Sequence, residues 1–584
     1  MFSRMSKVNL RDYQVDNYHK LLNVLDKNYF YIDNSMMGRG KTHVTSKIAE
    51  DLGLPVVVVC FDEISSNMVW KKALDNYDIE YYYGMNNKPL IIPYSQLIST
   101  GSCQPKHGML QKIINIFHTR DKKEVKQTIF TATPFLKAII EQGCFFIFDE
   151  FHSGKNSNTN TAKAANVFFK EVCDSFFKGG LSRIAVLSGT LLRRDREYAT
   201  YMKTFNFITD DYLYRYNIGT KQYSFNGIFQ LIAHGDRLNM EESRKFVEEN
   251  IDTILNPTNE KIIDYVVNYF EDVLAPVIRS AMKWPDSFYE KSDQRIENIF
   301  LPMTEEESIE YSKAVMKLSL ATAFDPCRNS VNLSFAGSAL MGQLYKSLEE
   351  VQKSKVNSVV RFVKKIFQSD YYRDGERVTP KVIIYGKFNS VIESLVIQLL
   401  DHSPLVMTGA VSKKLRPVII DKFQQHDDEY RLLISNVKIA SQSIDIHDTH
   451  GNFPRIVFIM ADYEIINMQQ IFGRYLRDGC NSNSVCYIVY GEVMKEIELS
   501  LNLSKKGKQS NGIRENKLIN AIHRSKNTIQ RFNKDQGDDL KMPGDYPEIH
   551  LDKVIPLAPE GIIAVPQETS SYSFCNDDHI FLPT

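Results

Sequence analysis

Ser35-Met-Met-Gly-Arg-Gly-Lys-Thr42 lies between an apolar run, Tyr29-Phe-Tyr-Ile32, and a helical pattern over residues 44–52. The apolar run reads as a short buried strand, so the stretch is strand, glycine-rich turn and helix start in succession. Such a junction is an anion site, because the first backbone N–H groups of the helix are unpaired and its dipole favours negative charge. Gly38, Arg39 and Gly40 make the turn, Lys41 is placed to reach the outer phosphates of a nucleotide, and the Thr42 hydroxyl is placed for Mg²⁺. Ser35 stands where the full phosphate-loop pattern has glycine. Taken alone, the stretch also fits a plain glycine-rich turn.

Outward from this turn, short continuous runs of β-branched or aromatic residues alternate with helical patterns. They are Pro55-Val-Val-Val-Val-Cys60, Lys88-Pro-Leu-Ile-Ile92, Gly143-Cys-Phe-Phe-Ile-Phe148 and Arg183-Ile-Ala-Val-Leu187. Runs of this kind predict a parallel sheet covered on both faces, an α/β unit over residues 1–200. Two of the strands end in polar chemistry. Phe148 leads into Asp149-Glu-Phe-His152, two carboxylates at the strand edge where open α/β sheets bind ligands. Asp149 is suited to Mg²⁺, and Glu150 to polarising a water that attacks a γ-phosphate. The alternative is a solvated acidic loop. Leu187 leads into Ser188-Gly-Thr190, a small hydroxyl-bearing turn. Thr131-Ala-Thr-Pro134 has similar letters but precedes the acidic pair and is read as a decoy.

Residues 201–300 read as a helical insertion, with amphipathic stretches over 241–255 and 261–273 and breaks at Pro257 and Pro276. Thr304 with Glu307 three residues on is a capping box that opens a helix in a linker over 301–350. A second α/β unit, over 351–492, shows strand runs at 381–385, 405–407, 431–434, 455–460 and 484–490 but no phosphate loop. Within it, Gln470, Arg474 and Arg477 fall at i, i+4 and i+7 of a helical stretch and share a face. The two arginines suit insertion into a nucleotide held by the other unit, or simply a solvated basic face. Residues 493–584 combine a basic amphipathic helix over 513–532 with an extended tail.

The 584 residues suggest roughly three or four domains. Lys plus Arg equals Asp plus Glu at 71 each, so any nucleic-acid contact must be a local strip and not a property of overall charge. Eight cysteines show neither C-x-x-C nor zinc spacing, which points to reduced thiols inside a cell. No run approaches a membrane-spanning length and the N-terminus lacks a signal-peptide core, so an intracellular, cytoplasmic protein without a membrane partner is expected.

The order Leu10-Arg-Asp-Tyr-Gln14, Gly38-Arg-Gly-Lys-Thr42, Asp149-Glu-Phe-His152, Ser188-Gly-Thr190, Ser443-Ile-Asp445 and Gln470-Ile-Phe-Gly-Arg-Tyr-Leu-Arg477 resembles that of superfamily 2 helicases in their D-E-x-H form, over about residues 8–492. The resemblance implies two tandem RecA-like domains with ATP and Mg²⁺ between them and DNA or RNA as partner. It implies that Gln14 reads adenine, that Asp445 faces the ribose or the metal-side network, that Ser188 and Thr190 couple the domains, and that Arg474 and Arg477, beside Gln470, are arginine fingers. Asn67-Met-Val-Trp70 and Leu301-Pro-Met-Thr-Glu look like the Swi/Snf-like branch and the transcription ATPases of large cytoplasmic DNA viruses. The additions at 201–300 and after 492 keep a second reading open, a transcription or replication factor that docks on an RNA polymerase or replication complex without unwinding, with a place in the virion if the chain is viral. Ser35, Phe151 and Ser443 depart from the pattern. None of these removes a charged group.

Overall fold

The computed structural model describes residues 9–35, 38–61, 69–83, 89–98, 108–118, 124–151, 159–189, 195–209, 213–217, 219, 222–282, 295–322, 338–373, 376–412, 415–440, 446–460, 471, 474, 481–482, 484–491 and 562–566. Two six-stranded parallel sheets account for both expected α/β units. In the first part the strands are β1 (Phe30–Asp33), β2 (Val56–Cys60), β3 (Ile91–Pro93), the hairpin β4 (Leu110–His118) and β5 (Glu124–Ala132), β6 (Phe145–Asp149), β7 (Arg183–Leu187), the small hairpin β8 (Arg215–Asn217) and β9 (Gln222–Ser224), and β10 (Arg279–Ser280). The first sheet runs β10-β1-β7-β6-β2-β3. Its central strands are wholly buried because helices cover both faces, which is why their sequences are continuous apolar runs instead of alternating ones.

In the second part come β11 (Arg295–Phe300), β12 (Ser369–Arg373), β13 (Glu376–Val378), β14 (Lys381–Gly386), β15 (Leu405–Met407), β16 (Leu432–Asn436), β17 (Arg455–Met460) and β18 (Ser484–Tyr490), with β19 (Ile562–Pro566) near the end of the chain. The second sheet runs β11-β18-β17-β14-β16-β15, all parallel. The tandem RecA-like α/β class is therefore as expected, but the second sheet is no copy of the first. Its leading strand β14 sits between β16 and β17, whereas β1 sits between β10 and β7. β12 pairs antiparallel with both β13 and β19 in a separate sheet.

The helical stretch after residue 225 packs into the same apolar core as the first sheet. Ile228, Leu231, Tyr265 and Phe270 join Phe30, Phe146 and Val186 in one cluster. The chain then returns as β10, parallel to β1. Pro276 does not break the helical run as its sequence position suggests. A π-helical turn, Phe270–Leu274, precedes Ala275–Ile278 and takes up the register change that a proline without an N–H demands. The expected capping box is present: Thr304 N–H donates to Glu307 Oε2 at 2.9 Å and Glu307 N–H to Thr304 Oγ1 at 3.3 Å. Arg361 grips the same Glu307 with two bonds of 2.7 and 2.6 Å, which holds that carboxyl down at about 2. Thr131-Ala-Thr-Pro134 proves to be the end of β5 followed by a helix cap, with Thr133 Oγ1 accepting from Leu136 N–H. The basic stretch 513–532 lies outside the described residues.

Candidate active site

The site is assembled at the carboxyl ends of β1, β7 and β6. β7 lies between the phosphate-loop strand and the acidic strand, so β1 and β6 are about 10 Å apart at two interstrand spacings. Ser188, at the end of the intervening strand, is buried and donates its N–H to Asp33 O at 3.1 Å.

The loop itself is built on two left-handed glycines, Gly38 at φ 79° and Gly40 at φ 85°. At Gly40 a side chain is also excluded by space, since a Cβ there would lie 2.2 Å from Gln14 Nε2. Gly40 is the N-cap of the helix Lys41–Leu52 and makes no side-chain cap bond to its first N–H groups. Lys41 is buried and its Nζ donates to Ser35 O at 2.8 Å, which folds the ammonium back over the loop. Thr42 is half-buried. Gln14 accepts from Arg11 N–H at 3.1 Å and donates to Arg39 O at 3.1 Å. It therefore braces the loop's backbone, with one amide hydrogen and one oxygen lone pair still uncommitted by these two bonds. The Arg39 guanidinium is turned inward onto the Met282 carbonyl.

Ser35, the departure from the phosphate-loop pattern, has a structural reason. Its Oγ donates to Asp33 and accepts from Met282 N–H at 2.7 Å, while its N–H donates to Asp33 Oδ1 at 2.9 Å. One hydroxyl thus ties the loop to the segment after β10. Asp33 was not legible as a site residue, because it merely ends an apolar run. Burial raises its pKa, opposed by Lys41 and by the bonds from Ser35 and Asn17. Ser35→Ala leaves the Met282 N–H unpaired in a buried place and should cost about 1–3 kcal/mol. Denaturant unfolding checks this, and an unchanged midpoint refutes the tie.

Asp149 and Glu150 are both buried. Burial first, and the Glu150 charge second, raise Asp149 to about 6. Trp70 Nε1 donates to Asp149 Oδ2 at 2.9 Å, and Lys41 also favours the ionised form. Glu150 adopts φ 52°, a left-handed conformation for a residue with a Cβ, at a cost of roughly 1–2 kcal/mol. Strain of this kind persists where surroundings hold a side chain in place. Phe151 supplies that hold: it inserts into the aromatic core against Phe148, Phe169, Tyr201 and Phe205 at 5.7–6.0 Å between ring centroids. The hard oxygens of Asp149 and Thr42, beside an uncapped helix start, are a donor set that fits Mg²⁺ with a nucleotide.

In the second part, Ile471 and Arg474 are helical and buried. Arg474 O accepts from Ile446 N–H at 3.2 Å, which ties the stretch after Asp445 to the arginine-bearing helix. Gln470, Arg477, Asp445, Ser443, Thr190 and His152 fall outside the described residues. Arg455 was not anticipated at all. It is buried at the start of β17, donating through Nε to Ile446 O at 2.8 Å and through Nη2 to Gln424 Oε1 at 2.7 Å, with Phe453 O as a further acceptor and the Phe423 ring 5.2 Å away. Next to it, Asp448 accepts from the N–H groups of His450, Gly451 and Phe453.

No family model matches the chain. It is 20% identical over 505 residues to the Acanthamoeba polyphaga mimivirus protein named "Putative ATP-dependent RNA helicase L364", covering 86% of this chain and 83% of that one. The chain is thus similar to a helicase-named ATPase across most of both lengths. Among solved structures, a Sulfolobus solfataricus SWI2/SNF2 ATPase core in complex with double-stranded DNA aligns at 15% identity, over 91% of this chain and 98% of that one, with a TM-score of 0.30. No described helix is long and apolar enough to cross a membrane.

Proposed function

We propose that this protein is a nucleic-acid-dependent ATPase of the superfamily 2, D-E-x-H helicase kind, which couples ATP hydrolysis between its two RecA-like parts to movement on DNA or RNA. The observation that carries the reading is the convergence of Lys41, Ser188, Asp149 and Glu150 on the ends of β1, β7 and β6, beside a helix start with no side-chain cap. The similarity to the mimivirus protein supports it. In this reading Gly38, Arg39, Gly40 and Lys41 hold the phosphates of ATP, with Lys41 drawn from Ser35 O toward the outer ones. Thr42 and Asp149 hold Mg²⁺, which neutralises phosphate charge when bound. Glu150 orients the attacking water, and its fixed backbone keeps the carboxylate aimed without reorganisation. Gln14 offers its remaining amide groups to adenine, and Asp445 serves the ribose. Arg474 and Arg477, with Gln470 beside them, complete the site from the second part as transition-state contacts.

The Asn67-Met-Val-Trp70 stretch favours the Swi/Snf-like branch and, within it, an intracellular, cytoplasmic transcription ATPase of viral type. In that setting the partner is a polymerase or replication complex, and the chain works in the infected cell or the virion. The deciding experiment measures ATP turnover of the full chain with single-stranded DNA, duplex DNA and RNA side by side at fixed salt, since such contacts weaken steeply with salt. Stimulation by any of them supports the proposal, and its strongest activator names the substrate. Turnover that none of them changes overturns it. Strand displacement separates a helicase from a translocase that docks on a polymerase without unwinding.

A further inference from the structure

We propose that Trp70 is a positioning residue of the ATP site, whose indole N–H holds Oδ2 of Asp149 and so fixes the orientation in which that carboxylate meets the nucleotide's divalent cation. The inference rests on the ATPase reading above and concerns a side chain that does not itself touch nucleotide or metal. Trp70 is the second residue of the helix Val69–Asn76 and is completely buried. Its ring belongs to an apolar cluster with Val44 and Ile48 from the helix behind the phosphate loop, Val58 from β2, Ile147 from β6 and Leu187 from β7. Walls on several sides leave the ring no other place to go. An indole nitrogen is a donor only, and a buried donor needs an acceptor. The one it meets is Asp149 Oδ2, at 2.9 Å.

The consequence is geometric. A carboxylate at the end of a strand turns freely about its last bond and can offer either oxygen, or both, to a cation. With Oδ2 engaged by a fixed donor and the Glu150 backbone N–H also on the carboxylate, rotation is stopped and the carboxylate meets the cation in one preset orientation. Octahedral Mg²⁺ tolerates little error in ligand direction, so a preset oxygen matters more for it than for a larger ion. The arrangement is that of an outer partner orienting a metal ligand. It also links the cation's ligand to a helix that follows β2, outside the phosphate loop and the acidic strand.

The test uses the full chain and the binding of a fluorescent ADP analogue as a function of Mg²⁺. Trp70→Phe keeps most of the ring volume and removes the donor. The Mg²⁺ concentration at half-saturation should rise about tenfold, while nucleotide binding in the presence of a chelator stays as in the parent. A variant that is less stable yet keeps the parent's Mg²⁺ dependence overturns the proposal, because a purely structural tryptophan would behave that way. Should Trp70→Phe fail to fold, Trp284→Phe leaves Trp70 as the single tryptophan of the two in the chain. Its emission should then change on adding nucleotide with Mg²⁺ and stay constant with nucleotide and chelator. Constant emission in both overturns the proposal. If the parent protein binds no nucleotide with or without Mg²⁺, the ATPase reading itself falls, an outcome distinct from the other two.

Discussion

Glu150→Gln should lower ATP turnover by roughly two to four orders of magnitude while nucleotide binding survives, because the substitution removes a positioned base and leaves the phosphate loop untouched. The same change should make the protein more stable at neutral pH. Glu150 and Asp149 are adjacent, buried and of like charge, and the Glu150 charge is one of the causes that raise Asp149 to about 6. With a neutral amide at 150 that repulsion is gone. The sign follows from proton binding: a buried carboxyl whose folded pKa lies above its unfolded one keeps a proton in the native state that the unfolded chain has released. Asp149 therefore costs stability as pH rises from the ordinary carboxylate range through about 6, and the cost persists above. Glu150→Gln should shrink that cost and raise the unfolding temperature at pH 7, with little change at pH 4. Single-turnover kinetics and calorimetry on one preparation measure both effects. Full turnover in Glu150→Gln would remove Glu150 from the chemistry, and a lowered unfolding temperature at pH 7 would show that the two carboxylates do not repel in the folded protein.

Arg455→Ala should loosen the second part by about 1–3 kcal/mol for each buried acceptor it leaves unpaired. The guanidinium serves Ile446 O, Phe453 O, His447 O and Gln424 Oε1 at once, at the foot of β17. Arg455→Lys should rescue little, since a lysine cannot reproduce the planar fork. The charge of Arg455 also helps hold Asp448 below the ordinary carboxylate value, against burial and together with the Ser482 hydroxyl and backbone N–H groups. A depressed carboxyl contributes stability above its unfolded pKa and loses it as pH falls through the folded one. Without Arg455 that contribution shrinks, so the variant should also unfold at higher pH on acid titration. Hydrogen exchange at the amides of 446–453 reads the effect locally and should speed by roughly two orders of magnitude or more. Exchange at the parent's rate would mean that Arg455 is dispensable to this loop.

The parts legible in advance were those in which one residue type serves one purpose. Continuous β-branched and aromatic runs announced β2, β6, β7, β14, β17 and β18, since strands buried on both faces admit little else. Glycine spacing announced the phosphate loop, and a Thr-to-Glu interval announced a helix start. β10 was invisible because it is two residues, Arg279 and Ser280, whose pairing is set by a neighbour far away in the chain. The long hairpin of β4 and β5 was missed because it carries isoleucines on its open surface, Ile114 and Ile116 being about half exposed, so its pattern never alternated cleanly. Within the site, Lys41, Asp149 and Glu150 were readable from their neighbours in sequence. Asp33, Trp70 and Arg455 were not, because each acts through a partner that only the folded chain supplies. A tryptophan or an arginine in a list of letters gives no sign that its nitrogen will end on a buried oxygen.

The bond between Met282 and Ser35 spans 247 residues. During synthesis, at roughly 5–20 residues per second, the ribosome needs about 12–50 seconds to deliver Met282 after Ser35 has been made. Throughout that interval the nascent chain carries Gly38, Lys41 and Thr42 but lacks both the edge strand beside β1 and the amide that anchors Ser35. The glycine-rich loop therefore matures late, after the helices of 226–278 have emerged, and a fragment cut at residue 200 would be born without the brace that ties Ser35 to the segment after β10.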